Sequence, residues 1–302
     1  KVLKKLPPNI NKNPLYRGKP LDAILKSAPA SLLSTQSINK HMVRASSLWN
    51  WARKFKYVTD NPFEGMSLKK SKRPHKERSI FSDDHLRAIF GHQIFQTRKY
   101  LYPYMYWVPL IAVYSGMRLE EICQLYIEDI IKVGGIYCID VNDSGDKKVK
   151  TTSSIRLVPV HSKLIDLGFI DFFEKQRNAG NQQLFPELKR GRDGCSQTVS
   201  KWFARFRVKC GIIGRGTDFH SFRHTVADRL KQANAREEHA AAILGHIFHK
   251  TETYGRYAKE YYIQTLKGAI ELLNYDAIET LTVRQPHGTD SQTEPITTSF
   301  RQ

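Results

Sequence analysis

Apolar positions near the start of the chain fall into helical spacing. Ile38, Met42, Ala45, Trp49, Ala52 and Phe55 recur every third or fourth residue. That predicts an amphipathic helix over Thr35–Lys56, with Ser34 or Thr35 as its N-cap. A shorter helical pattern covers Leu21–Ala28, after Pro20. Asn61-Pro62 closes this region, and residues 67–79, basic and without periodicity, read as an extended linker. Past Ile80, Ser82 to His85 caps a helix over Asp83–Phe90. Tyr104–Tyr114 is apolar and aromatic throughout, as a buried helix is, and Ser115-Gly116 ends it. Leu119–Leu125 starts another helix. Alternating patterns at Ile136–Val141, Lys147–Lys150 and Ile155–Val160 predict three short antiparallel strands. Helices are predicted again over Lys163–Phe173, Ser196–Lys209, Phe219–Ala233, Glu237–Leu244 and Tyr261–Leu273. From Asp276 the chain turns polar, and Pro286–Gln302 lacks the apolar residues to build a core. The pattern is mainly α with a small antiparallel β-sheet, in four stretches: a helical domain over 1–66, a linker over 67–79, a mixed α+β domain over 80–275 and a tail over 276–302.

Charge narrows the possible partners. Over 302 residues, 48 Lys+Arg stand against 29 Asp+Glu, a formal net charge of +19. So basic a chain suits a polyanion, because each phosphate it neutralises releases condensed counterions. Lys40, His41, Arg44, Arg53 and Lys54 on the polar face of the first long helix, and Lys69, Lys70, Lys72, Arg73, Lys76 and Arg78 in the linker, fit a nucleic-acid backbone or simply a solvated surface. The four cysteines (Cys123, Cys138, Cys195 and Cys210) lie far apart, which argues against a zinc knuckle or a disulfide scaffold and for a reducing, intracellular setting. Residues 1–11 are basic without an apolar stretch, so no signal peptide is expected. The longest apolar run, near Tyr104–Val113, is too short to span a bilayer.

Several short motifs carry candidate chemistry. Attack on a phosphodiester without a metal requires a nucleophile, cations around the phosphorane and proton transfer at both oxygens. Arginine is the best clamp, since its planar fork matches two phosphate oxygens. Neither a carboxylate cluster for a two-metal nuclease nor a phosphate-binding glycine loop is visible. In Ser115-Gly-Met-Arg118-Leu-Glu-Glu121, Arg118 opens a helix. There it opposes the macrodipole unless it pairs with Glu121 or meets an anion. In His220-Ser-Phe-Arg223-His224, His220 and Arg223 share a helix face, with Phe219 and Phe222 as core anchors and His224 as a packing residue. Leu244-Gly245-His246 reads as a helix stop followed by a histidine. Tyr257 follows in Tyr254-Gly-Arg-Tyr257-Ala-Lys. Each element alone has an ordinary structural reading.

In order and spacing, Arg118, His220-x-x-Arg223, Leu244-Gly-His246 and Tyr257 together resemble the tyrosine recombinases of the phage-integrase type. The resemblance covers about 80–275. It implies a helical core-type DNA-binding domain followed by a catalytic domain. It further implies that Arg118 and Arg223 hold the non-bridging oxygens of the scissile phosphate and that His220 serves as base or proton shuttle. His246 hydrogen-bonds the phosphate, and Lys150, ahead of rivals Lys147 and Lys148, is the general acid at the end of the second strand. Tyr257 attacks to give a 3′-phosphotyrosyl bond; Tyr254, nearer the family's usual spacing from the histidine, is its rival. The implied partners are double-stranded DNA at a specific site, a homotetramer on that DNA and accessory DNA-bending or directionality proteins. No metal, cofactor or ATP is implied, and the setting is the host cytoplasm. No arm-binding domain is seen ahead of the core-type domain. A type IB topoisomerase and a non-catalytic DNA-binding protein of the same fold stay open as alternatives.

Overall fold

The computed structural model describes residues 2–27, 29–69, 80–214, 216–246 and 261–281. The chain divides into two compact units, Lys1–Glu77 and Arg78–Gln302.

The first unit is helical. Helices α1 (Leu21–Lys26) and α2 (Thr35–Lys54) follow a single 3₁₀ turn, Val2–Lys5. The Ser34 hydroxyl accepts from the Ser37 N–H at 3.1 Å, capping α2 as its sequence predicts. Buried Asn61 ties the end of the unit back to α2, donating to Ser46 Oγ at 2.8 Å and Asn50 Oδ1 at 2.9 Å. The apolar stripe expected to be a buried face is covered only in part. Ile38 is buried, Met42, Ala45, Trp49 and Ala52 are half-buried, and Phe55 is exposed. So small a unit has too little apolar mass to cover a twenty-residue helix.

The second unit is built around α5 (Tyr104–Ser115), whose side chains are buried on every side except at Met105. A helix apolar all round belongs at the centre of a core. Before it come α3 (Asp83–Phe90) and α4 (Gln93–Thr97), and after it α6 (Leu119–Cys123). Three antiparallel strands follow, in the order β1 (Ile130–Val133), β2 (Ile136–Val141) and β3 (Arg156–Pro159). Helices α7 (Ser162–Asp166), α8 (Phe169–Asn178), α9 (Gln197–Lys209), α10 (Ser221–Gln232), α11 (Glu237–Leu244), α12 (Ile263–Ile270) and α13 (Asp276–Glu279) complete the described part. Phe222 and Phe219 of the α10 segment pack into an aromatic cluster with Phe203 and Phe81, at ring separations of 4.7–5.4 Å. Helix α12 buries Ile263, Leu266, Ala269 and Ile270 and packs against α11 and β3 of its own chain. The four cysteines are free thiols. Among the described residues no helix is long and apolar enough to cross a membrane.

Three expectations of secondary structure are corrected. Lys147–Lys150 is not a strand. The Gln124 side chain takes both backbone groups of Lys148, at 3.0 Å each, and so replaces a strand partner. The strand missed instead is β1. It pairs with β2 through a two-residue turn at Gly134 and Gly135, whose φ values of +56° and +83° need glycine. Lys163–Phe173 is two helices rather than one, because Gly168 at φ +82° breaks the run between α7 and α8.

Candidate active site

Three motifs distant in sequence meet at Arg223. Its Nη1 donates to the Gly116 carbonyl at 2.8 Å, and its Nη2 donates to the Leu244 carbonyl and lies 2.8 Å from His246 Nε2. The Gly116 turn is built for that contact. Its φ is +64°, and a Cβ there would lie 2.5 Å from the Leu244 side chain, so glycine is required on both counts. Gly245, at φ +66°, stops α11 as its position predicts and turns the chain so that His246 faces the arginine. A guanidinium only donates, so Nε2 of His246 is the acceptor and Nδ1 carries the proton.

Arg118 caps α6. Its backbone N–H donates to Glu121 Oε2 at 2.9 Å, and its Nη1 donates to Glu121 Oε1 at 2.5 Å and to Ser154 Oγ at 3.1 Å. Pairing with Glu121 therefore holds the guanidinium, while a fifth of the side chain still reaches the surface.

Arg156, not singled out by the sequence, belongs to the same cluster. Its Nη2 donates to Glu121 Oε2 at 2.9 Å, its Nε to the Ile243 carbonyl at 2.6 Å and its Nη1 to the Ser154 carbonyl at 2.7 Å. The available clue was a charged residue in the strand Ile155–Val160, in phase with inward-facing Val158.

Two guanidiniums, those of Arg118 and Arg156, thus share one buried carboxylate with Arg223 close by, and the electrostatics carry the imprint. Burial pushes the Glu121 carboxyl upward, but Arg156 and Arg118 overcome this and hold it below the usual carboxylate range. Arg223 is pushed down to about 9, first by burial and then by Arg118 and Arg156. His246 is lowered by burial and by Arg223, Arg118, Arg156 and His224, so its imidazole is neutral at pH 7.

His220 is half-buried at the N-cap of α10. Its backbone N–H donates to Asp218 Oδ1 at 2.8 Å, and its ring meets that of His224 edge-on at 4.8 Å. Lys150 lies in the segment between β2 and β3, not at a strand end, with its side chain exposed. Lys147 is not a solvated lysine. It is buried in a 2.5 Å ion pair with Asp129 and sits over the Tyr126 ring, the position of a structural post. Lys148 stays exposed. Tyr257 and its rival Tyr254 lie outside the described residues. Among the described residues no group of three or more His, Cys, Asp or Glu is arranged to hold a metal ion.

A mainly α catalytic unit with a three-stranded sheet, converging on clustered arginines, defines a tyrosine-type site-specific DNA recombinase. The model of the phage integrase family matches residues 91–262, more than half of the chain, and the chain belongs to that family. Among solved structures it is similar to a lambda integrase dimer bound to a COC′ core site, at 20% identity over 76% of this chain and 77% of the other, with a TM-score of 0.50. It is similar to the Tn1549 transposon integrase in complex with transposon right end DNA, at 19% identity over 80% of each chain, with a TM-score of 0.51. A third similar structure is the XerH site-specific recombinase bound to palindromic difH substrate in a post-cleavage complex. There the identity is 19% over 72% of this chain and 62% of the other, and the TM-score is 0.53. No curated protein matches.

Proposed function

We propose that this recombinase cleaves and rejoins DNA at a specific site through a 3′-phosphotyrosyl intermediate on Tyr257, for the integration or excision of a phage or other mobile element. The observation that carries this reading is the charge imbalance at the site. Arg118, Arg156 and Arg223 are held by carbonyls and by one carboxylate, Glu121. Such a pocket is pre-organised for an anion, and a scissile phosphate supplies the missing charge without reorganisation. Arg118 and Arg223 face the two non-bridging oxygens. The Nδ1–H of His246 donates to the phosphate. The Tyr257 oxygen bonds to phosphorus as its proton passes to His220. The bond from phosphorus to the 5′-oxygen breaks, and that oxygen takes a proton from Lys150. Return attack by a 5′-hydroxyl reverses each transfer, so phosphodiester energy is conserved without ATP.

The remainder of the reading follows the same chemistry. Residues 1–66 form a second DNA-binding domain, with Lys40, His41, Arg44 and Lys54 exposed along α2 to meet phosphates. Exposed Lys69 adds to that basic surface, residues 70–79 of the linker lie outside the described residues, and strand exchange takes place in a tetramer on DNA in the host cytoplasm. Accessory DNA-bending or directionality proteins set its direction.

The test uses a pool of randomised duplexes, each carrying a nick, because a short fragment beside the cleaved bond diffuses away and traps the adduct. A covalent protein–DNA species that survives denaturant, lost in Tyr257→Phe but kept in Tyr254→Phe, is the expected result. Loss in Tyr254→Phe alone would move the nucleophile, and no adduct from the wild-type protein would overturn the reading. Sequencing the trapped DNA identifies the site.

A further inference from the structure

We propose that Arg156 is a positioning residue that locks the two halves of the phosphate pocket together, fixing Arg118 through Glu121 and the Leu244-Gly245-His246 turn through the Ile243 carbonyl. This deepens the reading above and rests on it.

The pocket is assembled from segments with no covalent reason to stay in register. Arg118 and Glu121 come from the start of α6, and His246 follows the end of α11. Arg156 spans them from β3, where its pairing opposite Val141 sets its height along the sheet. Its two ends do different work. The Nε end holds the α11 carbonyl of Ile243 at 2.6 Å, and the Nη2 end holds Glu121 Oε2 at 2.9 Å. The other oxygen of Glu121 grips Arg118 Nη1 at 2.5 Å. Ser154 adds a second bridge, with its carbonyl on Arg156 Nη1 at 2.7 Å and its hydroxyl on Arg118 Nη1 at 3.1 Å.

The fit is tight on the histidine side. A Cβ on Gly245 would lie 2.9 Å from Arg156 Nη1 and 3.1 Å from Cζ, so the guanidinium lies directly against the turn that carries His246. The Arg156 side chain is 7% exposed, so it is spent on the protein rather than offered to DNA. A lysine in its place keeps the charge but not the fork. Its donors radiate from one atom and cannot reach both Ile243 and Glu121.

Two substitutions separate fork from charge, each read on the randomised nicked duplexes, in anisotropy binding to the same duplexes and by histidine NMR. Arg156→Lys is expected to slow adduct formation on the order of 100-fold, the cost of misplacing catalytic groups by about 1 Å, with duplex affinity within about twofold. Its His246 titration should stay near that of the wild type. Arg156→Met should be as slow, and its His246 midpoint should also move up, because one of the cations facing it (Arg223, Arg118, Arg156 and His224) is gone. If Arg156→Met does not fold, Arg156→Lys, which keeps the charge, carries the test alone, and slow cleavage with retained binding is again expected. Adduct formation within about twofold of wild type in any folded variant overturns the proposal. So does a loss of rate that matches the loss of binding or of folded protein. A wild-type chain that forms no adduct indicts the proposed function instead.

Discussion

At the scale of single residues, the site is governed by one carboxylate serving too many cations. Glu121 is 3% exposed and makes contacts with both Arg118 and Arg156. Removing its charge leaves buried guanidiniums unpaired, a loss of about 3 kcal/mol after allowing for the partly exposed Arg118. Glu121→Gln is therefore expected to unfold at lower urea in phosphate-free buffer, with inorganic phosphate restoring part of the difference because it binds only the native pocket. Equal midpoints in phosphate-free buffer would remove Glu121 as the counter-ion.

His246 gives a second reading of the same field. Burial and the cations around it lower its folded pKa below the ordinary imidazole value of 6.5. Between the folded value and 6.5 the unfolded chain binds more protons than the native one, so stability rises with pH there. The contribution is full above about pH 6.5 and is lost as pH falls through the folded value. A phosphate in the pocket reverses the cause by adding negative charge. Its addition should raise the His246 midpoint in an NMR titration; an unmoved midpoint would place the anion elsewhere.

At the scale of elements, the segment between β2 and β3 shows how a loop without strand pairing is held. Lys147 and Asp129 pair with each side chain only 2% exposed, and Gln124 clamps the backbone of Lys148. Asp129→Asn leaves the Lys147 ammonium buried without a counter-charge, at a cost of about 3–5 kcal/mol. Amides over 142–151 are then expected to exchange faster. If this segment aims Lys150, the variant should also cleave normal DNA slowly but regain near wild-type rate on duplexes with sulfur at the 5′-bridging position, since a thiolate leaves without a proton. A defect of equal size on both substrates would mean that the segment does not serve the general acid.

Much of the fold was legible before the structure. Glycine stops and strong periodicity marked α2, α3, α5, α10 and α11 to within a few residues. What escaped depended on partners far along the chain. Gln124 stands in for a strand 24 residues away, and Arg156 finds its partners 35 and 87 residues away, at Glu121 and Ile243. Neither is a local pattern. The missed β1 is different, because Val133-Gly134-Gly135-Ile136 carries a hairpin signal that went unused. At the site, the motifs named Arg118, Arg223 and His246, and the structure brings these three segments together. It adds Arg156 and Ser154, to which no motif gave a role.

At the scale of the whole molecule, binding and chemistry draw on different charges. The excess of +19 is spread over the whole sequence, whereas the guanidiniums of Arg156 and Arg223 are nearly sealed from solvent. Exposed lysines and arginines neutralise phosphates along the duplex, and each releases counterions on binding. Contact with about 6–10 phosphates makes affinity fall by about 10³–10⁵ between 50 and 200 mM salt. On the proposed reading the pocket arginines touch a single phosphate, so Arg118→Ala or Arg223→Ala is expected to lower the salt slope by only about one phosphate's worth. Cleavage should fall much further, because a clamp that tightens as charge develops acts on the transition state more than on the bound duplex. Anisotropy across a salt series, run beside adduct formation on the nicked pool, separates the two. Equal losses in both would mean that Arg118 and Arg223 serve only as part of the electrostatic surface, and the pocket built around Glu121 would then have no claim on the scissile phosphate.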